Sequence, residues 1–257
     1  MEFRLRTPKI VPINDHIWLL NDNNEATCYV IAGSRRAMVI DTMTGFVDIH
    51  AAARQLTDLP ITVVNTHGHD DHIGGNWGFE SAYLHPADLK LAQSFLDLPM
   101  VQDISRENHL RWPAFVPLRD EEIFDLGGLE LQVYHLPGHT PGEVVLLDRR
   151  DRILFTGDGI IEQLWLQLKD SLPISVQIEG MKRLLPLRGE FDILLTGHSR
   201  GPEDAELFDA LLAALQDLAA GQTESDEPFR WFEGVDMSHP YGHDPRRIVY
   251  RTISPKS

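Results

Sequence analysis

Between Thr66 and His72 the chain reads Thr-His-Gly-His-Asp-Asp-His, so His67, His69, Asp70, Asp71 and His72 crowd one short run. Neutral imidazole and ionised carboxylate are the ligands that borderline metals such as zinc prefer. Packed this closely, such groups are electrostatically awkward without a cation to share. A short histidine-rich tract can also be a solvated loop. This one, however, follows the apolar run Ile61 to Asn65 and precedes Ile73-Gly74-Gly75-Asn76, which is the setting of a strand-to-loop junction. Cys28 is the sole cysteine, so an intrachain disulfide is impossible and a metal site must rest on His, Asp and Glu. Cys28 itself lies in an apolar run, 26–31, and reads as a core residue.

Three later stretches repeat the pattern more weakly. Glu130 to His135 runs into Leu136-Pro137-Gly138-His139; Arg152 to Thr156 runs into Gly157-Asp158-Gly159; Asp192 to Thr196 runs into Gly197-His198-Ser199. Each time an apolar strand ends in a turn containing glycine and one metal-competent side chain. Glycine permits the tight backbone that turns a side chain back over a sheet edge. One such residue alone reads equally well as an ordinary turn residue. Together with the first run, the three point to a shared site.

The elements that must position these groups follow from periodicity. Short, partly β-branched strands are expected at Ile10–Pro12, His16–Leu20, Thr27–Ala32 and Ala37–Asp41, with turn signals at 21–24 and 33–34. A helix is expected over Val47–Leu56, then a strand over Ile61–Asn65, a short strand at Ala82–Leu84 and a helix opening at Pro86. Residues 98–121 carry Pro99, Pro113 and Pro117 and read as an irregular insertion overhanging a site. Strands resume at Glu130–His135, Glu143–Asp148, Arg152–Thr156 and Asp192–Thr196, with a helix over Pro173–Leu185. Glu203–Ala220 is the plainest helix: Leu207, Phe208, Leu211, Leu212, Leu215 and Leu218 share one face, and Gly221 suits a C-terminal cap. A polar connector, Gln222–Pro228, leads into a tail, 222–257, with a last strand at Arg247–Ile253. Strands first, then strands mixed with helices, favour packed sheets flanked by helices over a doubly wound sheet.

The chain has 257 residues, 42% hydrophobic and 24% charged, values ordinary for a globular protein and compatible with one domain. No run approaches the roughly 20 apolar residues of a membrane-spanning helix, and Met1–Arg6 lacks an apolar signal region, so neither membrane insertion nor export is expected and the cytoplasm is the default location. A net charge of −16 disfavours nucleic-acid binding, while bound divalent cations would offset part of it within a site.

His67, His69, Asp71 and His72, followed in order by His139, Asp158 and His198, resemble the motifs of the metallo-β-lactamase-fold superfamily over about residues 10 to 215. The resemblance implies an α+β fold: a four-layer αββα sandwich of two mixed β-sheets flanked by helices, here one domain over 1–257. It implies two divalent transition-metal ions, zinc first and iron or manganese as alternatives. His67, His69 and His139 would hold one ion, Asp71, His72 and His198 the other, and Asp158 would bridge them. Two such cations bring the pKa of a shared water near neutrality. Asp71 is the expected catalytic residue, orienting that water and carrying its proton. Asp41 and Asp70 are candidates to hold a ligand histidine's other ring nitrogen. Asp158 stands where one group of zinc β-lactamases has a metal-binding cysteine, so the glyoxalase II, lactonase and phosphodiesterase branches fit better. A small-molecule thioester, lactone or other ester is the first expectation. A phosphodiester, or iron-dependent redox chemistry of the diiron or persulfide dioxygenase type, remains an alternative, as does homo-oligomeric assembly.

Substrate contacts are less sharply marked. Trp165 could line the pocket wall or belong to the core. His85 could reach the pocket, and His135 reads as a strand residue. The tail segment Met237–His243 is rich in hydrogen-bonding groups, so His239 and Tyr241 are candidate substrate contacts if the tail folds toward the site; an ordinary surface loop is the other reading.

Overall fold

A computed structural model describes residues 4–23 and 25–251 of the chain. The first seven strands run in chain order across one sheet: β1 (Lys9–Pro12), β2 (Ile17–Asn21), β3 (Thr27–Ala32), β4 (Ala37–Ile40), β5 (Ile61–Val64), β6 (Ser81–Leu84) and β7 (Ala114–Pro117). Pairing is antiparallel as far as β4 and parallel from there on. A second sheet takes β8 (Ile123–Asp125), β9 (Glu130–His135), β10 (Val144–Asp148) and β11 (Ile153–Gly157). The next strand, β12 (Gln163–Leu166), leaves for a third sheet, and β13 (Ile193–Thr196) and β14 (Glu203–Asp204) complete the second. Its β11–β13 pair is parallel, so both large sheets are mixed.

Side-chain alternation explains the layers. On β3, Tyr29 and Ile31 face one way and Cys28 and Val30 the other; on β10, Val144 and Leu146 oppose Val145 and Leu147. Tyr29, Ile31, Met38 and Ile40 of the first sheet interdigitate with Val133, Val144, Leu146 and Phe155 of the second. On the outer face of the first sheet, Cys28, Val30 and Val39 pack against Ala52 and Ala53 of helix α1 (Ile49–Arg54). The first histidine motif runs into α2 (Asp70–Ile73), and α3 (Leu89–Leu96) and α4 (Pro99–Glu107) follow. On the outer face of the second sheet, Val145, Leu147, Leu154 and Leu194 pack against α5 (Ile174–Leu184) and α6 (Glu206–Ala219). The order is helix, sheet, sheet, helix, as the sequence implied. With both faces of each sheet covered, the central strands β3, β4, β10 and β11 are buried as continuous apolar runs rather than alternating ones.

The α6 helix starts at Glu206 because Glu203 and Asp204 pair instead with Leu194 and Ile193. It ends as expected: Gly221 (φ +83°) takes the left-handed position, while the Gln222 and Gly221 amides donate to the Asp217 and Leu218 carbonyls.

The 98–121 segment is a correction. Pro99 opens α4 at its first turn, and Pro117 ends β7, which extends the first sheet beside β6. These prolines punctuate regular elements and do not mark an irregular overhang. The tail also folds. Strand β15 (Glu227–Trp231) and β16 (Gly234–Pro240) form a hairpin, and β17 (Arg247–Tyr250) joins β16 to β12 in the third sheet. Pro228 sits on β15, at the sheet edge, where a missing N–H is tolerated. The last expected strand runs past residue 251 and so lies partly outside the described residues. No helix among the described residues is long and apolar enough to cross a membrane.

Candidate metal centre

The C-terminal ends of β4, β5, β11 and β13, with the loop between β9 and β10, meet at one edge of the sandwich. From β5 the chain passes Asn65 and Thr66 into the loop bearing His67 and His69; α2 then presents Asp71 and His72. The β9–β10 loop presents His139, the turn after β11 presents Asp158, and the turn after β13 presents His198.

Seven side chains converge. His139 Nε2 lies 3.1 Å from His69 Nδ1, and His198 Nε2 lies 3.1 Å from Asp158 Oδ2. Asp158 is also 3.5 Å from His72 Nε2 and 3.7 Å from His139 Nε2, so it stands between the two histidine sets. Asp71 is 3.4 Å from His198 Nε2 and 3.7 Å from His72 Nε2. Three triads have ligand atoms mutually within 4.8 Å: His67, His69 and His139; Asp71, His72 and His198; and His67, His72 and Asp158.

The rings are held from behind. His72 Nδ1 donates to Asp41 Oδ2 (2.9 Å), His139 Nδ1 to the Trp165 carbonyl (2.7 Å) and His198 Nδ1 to the Glu25 carbonyl (2.5 Å). His67 Nδ1 lies 3.1 Å from Thr66 Oγ1, which itself donates to Asp41 Oδ2 (2.8 Å). Asp41 Oδ1 also accepts the Thr66 amide at 2.7 Å, so one carboxylate orients both His67 and His72. Asp41 adopts φ +60° at the end of β4, a conformation an L-residue rarely takes, to aim that carboxylate inward.

Two further acids were not singled out by sequence. Asp88, fully buried, accepts from the Gly68 amide (2.9 Å), Thr140 Oγ1 (2.7 Å) and the Gly142 amide (2.6 Å), clamping the first histidine loop to the His139 loop. Glu143 Oε1 accepts from the Asp158 and Gly159 amides (3.0 and 3.2 Å) and fixes the Asp158 turn. In the sequence Asp88 looks like a helix-opening acid and Glu143 like a strand residue. Only their burial and their donors, which the fold supplies, set them apart. Gly197 allows a close approach to the ligands themselves: a Cβ there would meet Asp158 Oδ1 at 2.2 Å and His72 Cε1 at 2.7 Å.

Charge divides across the site. Burial, then the neighbouring imidazoles, holds His67 and His69 well below the usual histidine range, and burial lowers His139 too. Burial opposes a charge on His72, but the carboxylates of Asp71, Asp158 and Asp41 outweigh it and push that ring well up. His198 is likewise raised, to about 9, because Asp158 overcomes its burial. Asp158 is held well below the usual carboxylate range, His198 and His72 outweighing its desolvation. His67 Nε2, His72 Nε2 and Asp158 Oδ1 are buried with no hydrogen-bond partner among the described residues. Orphaned polar atoms cost roughly 1–3 kcal/mol each unless something shared satisfies them. Cations between the triads would do so, and this donor set fits borderline divalent metals.

A cleft of about 1150 Å³ opens over these groups. Trp165 forms part of its wall, and Asp70 lines it, with a carboxyl raised by burial and then by Asp71. His239 and Tyr241 do not face it, which corrects the expectation for the tail. His239 Nδ1 is turned to the buried Asp226 carboxylate, and Tyr241 Oη donates to the carbonyls of Ile161 and Glu162. Both line a smaller recess of about 450 Å³ beside α6. The tail reaches the cleft instead through Phe232, Glu233, Asp244 and Pro245. His85 and His135 stack on each other, centroids 4.1 Å apart, and neither lines the cleft; nor does any residue of 98–121.

The family model for the metallo-beta-lactamase superfamily matches residues 22–198, which carry all seven converging side chains. The chain belongs to this superfamily. Among curated members it is 30% identical over 207 residues to the human acyl-coenzyme A thioesterase MBLAC2, spanning 68% of this chain and 73% of that one. It is 33% identical over 107 residues to the hydroxyacylglutathione hydrolase GloC of Haemophilus influenzae, spanning 38% of this chain and 48% of the relative. A metallo-beta-lactamase structure from Pontibacter korlensis superposes with a TM-score of 0.61 at 19% identity, covering 82% of this chain and all of that one, a likeness of fold.

Proposed function

We propose that this superfamily member is a binuclear metal-dependent hydrolase of a small ester, lactone or thioester, with the thioester foremost. The observation that carries the reading is the convergence of two triads on the shared, buried Asp158, with orphaned ring nitrogens aimed between them. His67, His69 and His139 would hold one ion, Asp71, His72 and His198 the other, and Asp158 both. Two divalent ions there, zinc first, supply an acidified water and a Lewis acid for the attacked carbonyl oxygen.

The chain's own groups do the rest. Asp41, the Trp165 carbonyl and the Glu25 carbonyl keep His72, His139 and His198 in the tautomer that leaves Nε2 free to bind. Asp71, at the cleft floor, takes the proton of the attacking water and returns it to the departing thiol or alcohol as the acyl carbon–heteroatom bond breaks. Trp165 walls the acyl side. The names of the thioesterase and hydroxyacylglutathione hydrolase relatives support the choice of bond. The lone cysteine, Cys28, is buried in β3 among the core side chains of the first sheet, which argues against a metal-binding thiol.

The test is a substrate panel: a thioester, a lactone, a β-lactam and a phosphodiester, each assayed with the metal-loaded protein. Greater kcat/KM on the thioester or lactone supports the reading. Preference for the phosphodiester, or oxygen consumption by an iron-loaded form without hydrolysis, overturns it.

A further inference from the structure

Trp165 joins two parts of the molecule. Its carbonyl holds His139, while its indole packs against an aromatic hairpin: Phe229 (6.0 Å between centroids), Trp231 (5.9 Å) and Phe232 (6.3 Å). Trp231 and Phe232 also meet edge to face at 4.8 Å. Phe232 occupies the two-residue turn between β15 and β16 and is 81% exposed, although it lines the same cleft as His69, His139 and Asp158. The hairpin lies beyond residue 198, where the family match stops.

Phe232 meets Trp165 and Trp231 yet leaves most of its ring open, and apolar surface left open along a cleft, continuous with a second aromatic wall, is available to a ligand. We infer that Phe232 and Trp165 form an acyl subsite that selects substrates with an alkyl or aryl acyl group. The inference rests on the hydrolase reading and deepens it. Continuity argues for the occupant: Phe232 and Trp165 line the cleft that holds the candidate metal ligands, and the Trp165 carbonyl holds one of them, His139, so a group bound there lies beside the reacting carbonyl. Charge points the same way. Outside the metal-competent cluster the cleft carries Asp70, Glu162, Asp170, Glu203, Glu233 and Asp244 against only Lys169 and Arg200. Apolar contact, rather than pairing with a polyanion, is therefore the recognition this cleft supplies.

Two measurements test it on the full chain. The first is binding of non-hydrolysable S-alkyl-N-acetylcysteamine thioethers, from ethyl to octyl, read by isothermal titration calorimetry. The second is kcat/KM for the acetyl to octanoyl thioesters of the same thiol. Each methylene buried against the rings is worth up to about fourfold in affinity, so affinity and kcat/KM should climb with chain length. Phe232→Ala should weaken octyl thioether binding about 5- to 20-fold and lower the octanoyl-to-acetyl ratio similarly, while Phe232→Leu should retain most of both. Since Phe232 is exposed, the variants fold. Length dependence unchanged by Phe232→Ala overturns the inference. So does an effect confined to self-association or to adhesion to lipid vesicles. If no thioester, lactone or ester is hydrolysed but thioether binding still depends on length and on Phe232, the alkyl-binding subsite stands and the hydrolase reading falls.

Discussion

Replacing Asp88 separates the scaffold of the site from its ligands. Its carboxylate satisfies three buried donors, the amides of Gly68 and Gly142 and the Thr140 hydroxyl, and so ties the two histidine loops together. Asp88→Ala leaves all three unsatisfied, at roughly 1–3 kcal/mol each. Part of that loss is offset because a desolvated carboxylate, whose pKa burial raises, has been removed. The expected net loss is about 2–5 kcal/mol, a large share of the roughly 5–15 kcal/mol that stabilises a domain. Asp88→Asn keeps the volume and can face its oxygen toward Gly68 and Thr140, which sets its amide nitrogen against the Gly142 N–H. One donor is lost, and about 1–3 kcal/mol with it. Urea unfolding in the presence of chelator reads these losses without the contribution of bound metal, as a lower midpoint at unchanged slope. If both variants unfold within about 0.5 kcal/mol of the wild type, the clamp is not what holds the loops, and the reasoning fails.

Asp41→Asn should weaken zinc binding about 10- to 100-fold, measured by competition with a chromophoric chelator, because the carboxylate orients His72 directly and His67 through Thr66. Gly197→Ala should leave the fold intact yet lower kcat/KM about 100-fold, since its Cβ must displace Asp158 and His72; activity within twofold of wild type would refute the close approach. His85 is pushed down to about 4 by burial and by the facing His135, against an ordinary value near 6.5. The unfolded chain therefore takes up this proton first, and the contribution to stability present above pH 6.5 is lost as the pH falls toward 4. Discounted for partial exposure, this is about 1–2 kcal/mol. His85→Asn, which keeps an acceptor for the Ala87 amide, should lose less stability than the wild type between pH 7 and 4.5 in urea titrations.

The ligand-competent residues were legible because four of them fall within six consecutive positions and the others each follow a strand and a glycine. Local spacing carries that signal. Asp88 and Glu143 were not legible because a carboxylate becomes a clamp only when the fold brings amides from distant loops to it. Asp41 was visible as a strand-end acid, but its double role depends on the parallel pairing of β4 with β5. The 98–121 segment misled because proline signals a boundary without saying which element it bounds. The tail misled for another reason: β17 pairs with β12 across more than 80 residues of chain, a long-range choice that turns Phe232, rather than His239 or Tyr241, toward the cleft.

The most direct test of the account is metal titration of chelator-stripped protein, followed together by bound metal and by thioester or lactone hydrolysis. Zinc binding should saturate at two ions per chain and hydrolysis should rise with it, while His67→Ala and Asp158→Ala each lower the stoichiometry and abolish turnover. Saturation with a single ion, or full activity in either variant or in stripped protein, would contradict the two-metal site.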